Sequence, residues 1–67
     1  MDQREVVKNA LDRKRRNETL ERAIGKAVRR NGGTYEDYIG IMSRIREARD
    51  SENLTLLEAA RKFAGEG

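Results

Sequence analysis

The chain has 67 residues, enough for one small domain over positions 1–67. Charged residues make up 40% of it, and 15 Lys and Arg against 12 Asp and Glu give a formal net charge of +3. The absence of Cys and His excludes disulfide scaffolds, Cys/His zinc sites, thiolate nucleophiles and the commonest general base. We therefore expect a binding protein, not an enzyme, with no cofactor and no bound metal.

Two apolar stripes at helical spacing occupy the first half of the chain. They consist of Val6, Val7, Ala10 and Leu11, and of Leu20, Ala23, Ile24, Ala27 and Val28. On one straight helix the two stripes would point about 100° apart. The apolar-free segment 12–19 between them therefore predicts two helices that break near Arg16–Thr19, with Asn17 or Thr19 as the N-cap. One long bent helix is the alternative.

Clear stop and start signals divide the second half. Asn31-Gly32-Gly33 suits the end of the second helix, and Thr34 suits the N-cap of a third. We expect the third helix to stop near residues 49–51. Thr55 and Glu58 have the spacing of a capping box, which predicts a fourth helix that Gly65 closes.

These elements predict an all-α fold, a compact bundle of three or four short helices. The predicted core consists of Leu20, Ile24, Val28, Ile39, Met42, Ile45, Leu57 and Phe63. A chain this short buries only about 60% of the surface that it exposes when unfolded. We therefore expect a homo-oligomer, a homodimer that completes the core. Gly25 and Gly40 fall inside predicted helices, and we interpret them as local packing.

The positive charge is concentrated in the first half of the chain. Residues 1–33 carry a net charge of +5, and residues 34–67 carry −2. Two basic features stand out, a run over 13–16 and a helical stripe on the side of the second helix away from its apolar residues. The candidate residues for binding nucleic acid or an acidic partner are Arg13, Lys14, Arg15, Arg16, Arg22, Lys26, Arg29 and Arg30.

Phosphate contact by these residues predicts a small regulatory protein that binds DNA or RNA. The competing interpretation is a solvated surface, on which Glu18 and Arg22 form an i,i+4 pair. The alternative function is a protein–protein adaptor or inhibitor that docks a helical face on a larger partner. Tyr35 is the candidate for a partner contact of either kind.

Residues 44–64 contain "IREAR" followed by "LTLLEAA", which resembles the first two helices of repressor-type helix-turn-helix domains. The recognition helix of that family would follow, where this sequence has Gly65, Glu66 and Gly67. We therefore transfer no DNA-contacting residue from that family. The longest apolar runs have two or three residues, against about 20 for a membrane span, and no secretory signal is visible. We expect a cytoplasmic protein without membrane contact.

Overall fold

The computed structural model describes residues 1–65, and four α-helices organise this part of the chain. Helix α1 spans Gln3–Arg13, α2 spans Leu20–Arg30, α3 spans Tyr35–Glu52 and α4 spans Leu56–Phe63. The predicted all-α bundle of short helices is confirmed. Residues 66 and 67 of the predicted domain lie outside the described residues. Across the described range, no helix combines the length and the apolar character that crossing a membrane requires.

Threonine side chains cap the starts of three helices. Thr19, not Asn17, caps α2, and residues 14–19 separate this helix from α1, so the single bent helix is wrong. Thr34 and Asp37 form a full capping box at the start of α3. At α4, the backbone N–H of Glu58 donates to Thr55 Oγ1 at 3.1 Å, and Thr55 N–H donates to the Glu58 carboxylate at 2.9 Å. Local hydrogen bonds thus fix where each helix begins.

Left-handed residues follow three of the helices, including α4, after which the predicted Gly65 has a φ of 86°. After α2, Gly32 has a φ of 74°, and the N–H of Gly33 donates to the carbonyl of Val28 at 2.8 Å. After α3, Asn53 takes the same role with a φ of 56°. Because Asn53 is the residue that caps it, helix α3 ends at Glu52, slightly beyond the predicted end at residues 49–51.

The helices pack as a closed ring of neighbours. Each helix contacts the next one along the chain, and α1 also packs against α4. Small side chains, namely Ala10 of α1, Ala23 and Ala27 of α2, and Ala59 and Ala60 of α4, are buried where the helices meet. The largest fully buried side chains are Val6, Val7, Ile24, Ile41, Met42 and Ile45. This core combines a few branched residues with alanines that let helices approach closely.

The prediction that Ile39 and Leu57 belong to the core is wrong. Ile39 is 46% exposed and Leu57 is 37% exposed. An α-helix turns by about 100° per residue, and this places each of the two side chains roughly 100–120° away from the stripe that faces the other helices. The remaining predictions hold. Phe63 is partly buried, and the other five are buried; these are Leu20, Ile24, Val28, Met42 and Ile45. Val6 and Val7 of α1, absent from the predicted core, are fully buried in it.

The two glycines inside helices have different surroundings. A Cβ added at Gly40 would meet no other atom within 4 Å. A Cβ added at Gly25 would lie 3.9 Å from the ring of Tyr38, which is ordinary contact. Gly25 therefore reflects local packing against that ring, and Gly40 faces open space.

Removing the Thr55 cap tests how much α4 depends on it. We expect Thr55→Ala to lower the free energy of unfolding by about 1 kcal/mol, because the N–H of Glu58 loses its acceptor. Chemical denaturation followed by circular dichroism measures this change. Ser43→Ala is the control, because Ser43 is exposed in the middle of α3 and Ala favours helix. Equal stability of Thr55→Ala and the unmodified chain would contradict the assignment.

Candidate nucleic-acid interface

The two basic features predicted from the sequence meet at one surface depression. Arg13 ends α1 and Arg15 follows in the connection, while Lys26 and Arg30 lie one turn apart on α2. All four line the same depression of about 360 Å³, together with Glu18. The structure therefore places the run of residues 13–16 beside the basic stripe of α2.

Two further depressions adjoin this one. The first is a groove of about 520 Å³ between α2 and the start of α3, lined in part by Arg22, Lys26 and Arg29. The second, of about 350 Å³, is lined in part by Lys14, Arg15 and Arg16. Lys26 and Arg15 each line two of the three depressions, so the three lie side by side on the surface.

We call the surface formed by these three adjoining depressions the basic band. Its cations are the eight predicted residues and one more, Arg61 of α4, which lines the depression beside Lys14, Arg15 and Arg16. Arg61 lies in the half of the chain with net negative charge, and only the packing of α4 against α1 brings it to the band. No local sequence signal separates it from the other arginines of that half.

Three acidic residues, Asp12, Glu18 and Glu21, line the same depressions. Glu18 Oε2 accepts a hydrogen bond from Lys26 Nζ at 2.6 Å, and only 8% of its side chain is exposed. The predicted i,i+4 pair between Glu18 and Arg22 is therefore replaced by a pair with Lys26. The reason is that Glu18 precedes the N-cap of α2 and lies outside the helix that would impose the i,i+4 geometry.

The hydrogen bond from Lys26 is the main reason why the pKa of Glu18 lies below its usual value. Burial acts in the opposite direction but is outweighed. Glu18 is thus held as a carboxylate among the cations of the band, where it offsets part of their mutual repulsion.

Arg30 is the one predicted cation that the described structure holds against α1. Its Nε and Nη2 atoms donate to Asn9 Oδ1 at 3.1 and 2.7 Å. Asn9 lies on α1, so this contact spans the helix pair that the band crosses. Apart from Lys14, which is half-buried, the eight predicted cations are exposed and accessible to a large partner.

The aromatic candidate Tyr35 lies in the wall of the 520 Å³ groove. It is 75% exposed, the largest exposed fraction among the exposed large hydrophobic residues of the described chain. Its ring stacks on that of Tyr38, with ring centroids 6.0 Å apart and planes inclined by 28°. Tyr38 is half-buried and packs against the core, so it supports the exposed ring of Tyr35.

Residues 1–65 contain no group of three or more metal-binding side chains of the His, Cys, Asp or Glu type. Comparison of the chain with models of protein families, with curated proteins and with solved structures finds no match.

The Glu18–Lys26 contact predicts a specific titration. Because the pKa of Glu18 is lower in the folded than in the unfolded chain, this contact stabilises the fold above the unfolded pKa. That contribution is lost as the pH falls through the folded pKa. We expect Lys26→Gln to raise the Glu18 midpoint, as measured by carboxyl NMR titration.

Arg29→Gln is the matched control, because it removes the same charge from the same helix without touching Glu18. An equal rise of the Glu18 midpoint in both variants would show that general charge, and not the Lys26 contact, sets the pKa of this carboxyl.

Proposed function

We propose that this chain is a small, non-enzymatic regulatory protein of the cytoplasm that contacts the phosphates of DNA or RNA through the basic band. The observation that carries the proposal is that three depressions lined by cations adjoin one another at Lys26 and Arg15. Cations in adjoining depressions can contact several of the closely spaced phosphates of a nucleic-acid backbone at once.

The charge of the band is consistent with this proposal. Nine basic residues and three acidic ones line it, and most of the predicted cations are exposed. Cations held this close together repel one another, and binding a polyanion relieves that repulsion. Arginine supplies seven of the nine, and its planar guanidinium group can hold a phosphate through two hydrogen bonds.

Contacts of this kind set affinity and not sequence preference. Phosphate oxygens are the same at every position of a strand, so cations that bind them carry no direct sequence information. We therefore expect binding that weakens steeply with salt and varies little between sequences of the same length.

Neutralising two residues at separate places in the band tests the proposal. Arg15→Gln combined with Arg29→Gln removes one cation from the run of residues 13–16 and one from the stripe of α2, and neither side chain makes a hydrogen bond within the described residues. Fluorescence anisotropy with a labelled DNA duplex, measured over a series of salt concentrations, gives the affinity. We expect the double variant to bind more weakly and to reduce the slope of log K against log salt by about 2.

The matched control combines Arg44→Gln with Arg46→Gln. These two residues are exposed on α3, outside the band. The control also loses two arginines, so it has the same net charge as the test variant. We expect the control to keep the slope of the unmodified chain. The proposal fails if no binding is measurable at low salt, or if the two double variants weaken binding equally.

The second candidate function is protein–protein contact, as an adaptor, an inhibitor or a homodimer. It is favoured by the exposure of Tyr35 and Ile39, which lie one turn apart on α3. A homodimer through this surface predicts a solution mass of twice 7.7 kDa by light scattering after size exclusion. Ile39→Glu would return it to the monomer mass, and a monomeric unmodified chain would contradict a homodimer.

A further inference from the structure

The groove between α2 and the start of α3 differs from the rest of the basic band. It combines cations with two stacked tyrosines, whereas the other two depressions contain no aromatic residue. Its volume of about 520 Å³ lies within the range of about 300–1,000 Å³ that is usual for small-ligand sites. The groove is therefore large enough for one nucleotide unit of a strand.

From this arrangement we infer that the groove binds an unpaired base of single-stranded DNA or RNA, stacked on Tyr35, while Arg22 and Arg29 contact the adjoining phosphates. This inference rests on the proposed function and deepens it, because it names the single strand as the preferred form of nucleic acid. Stacking needs an accessible base face, which a duplex does not offer within its stack.

The ring of Tyr35 is suited to this role because it is exposed and yet held in place. Tyr38 supports it from below by stacking at 6.0 Å, and the ring of Tyr38 rests near Gly25 of α2. The capping box of Thr34 fixes the first turn of α3, in which Tyr35 is the first residue. A platform ordered before binding loses little conformational freedom when a base stacks on it.

The charges of the groove also favour a nucleotide. Arg22, Lys26 and Arg29 line it on the α2 side, and Glu21 is the one acidic residue in its lining. A base that stacks on Tyr35 therefore has cations available for the phosphates on either side of it. An uncharged peptide would use the tyrosines but would leave Arg22 and Arg29 without partners.

The test compares three probes of equal length with the full chain. They are a single strand of thymidines, the same strand with abasic units in place of the bases, and a duplex. The abasic strand keeps the phosphates and lacks the stacking faces. We expect the thymidine strand to bind the unmodified chain more tightly than the abasic strand by about 5- to 150-fold for one stacked base.

The variants locate the stacking residue. We expect Tyr35→Ala to lose the preference for the thymidine strand and to keep its affinity for the abasic strand, while Tyr35→Phe retains both. Ile39→Ala, one turn along the same helix and outside the groove, is the matched control and is expected to behave like the unmodified chain. Circular dichroism checks that each variant is folded.

Tyrosine fluorescence gives an independent readout. The chain has two tyrosines and no tryptophan, so its emission reports on Tyr35 and Tyr38 alone. We expect the thymidine strand to quench this emission and the abasic strand to leave it unchanged.

The outcomes separate the inference from the proposed function. Equal affinity for the thymidine and abasic strands, or an unchanged preference in Tyr35→Ala, overturns the stacking inference and leaves phosphate binding intact. Failure of all three probes to bind at low salt overturns both. Full competition by polyglutamate at equal charge concentration would assign the groove to an acidic protein segment and would also overturn the inference.

Discussion

The close packing of α1 against α2 shapes both the core and the basic surface of this protein. It is possible because the chain turns back within residues 14–19 and because alanines lie on both helices where they meet. The same contact brings the end of α1, with its basic run, beside the basic face of α2. The alanines between α1 and α2 let the two helices approach closely. The cations on the outer faces of the two helices are therefore brought near one another, so the same helix pair forms the core and concentrates the positive charge.

Such a surface opposes folding through repulsion, and the structure contains groups that moderate it. Glu18 lies among the cations and pairs with Lys26, while Asn9 holds the guanidinium group of Arg30. These contacts are at the surface, where water and salt screen the charges, so each contributes modestly to stability. Most of the positive charge of the band remains without a partner of this kind. These unpaired cations are the groups on which the proposed contact with a polyanion rests.

The helix boundaries were predictable because their causes are local. The cap of α4 involves residues three apart in sequence, and the turn after α2 requires a residue that tolerates positive φ, so both patterns are visible in the chain. The identity of the buried residues was less predictable. Ile39 and Leu57 are as apolar as their buried neighbours, and only the direction from which the other helices approach leaves them exposed. Val6 and Val7 became core residues for the same reason.

The helices, their caps and the concentration of positive charge in residues 1–33 were predictable, because each follows from residue type and short-range spacing. Tertiary packing set how that charge is arranged. It joined the run of residues 13–16 to the stripe of α2, added Arg61 from the other half of the chain, and paired Glu18 with Lys26 in place of Arg22. These outcomes depend on contacts between residues distant in sequence, or on whether a residue lies inside a helix or before it. Such contacts are set by the packing of whole helices, which no local pattern encodes.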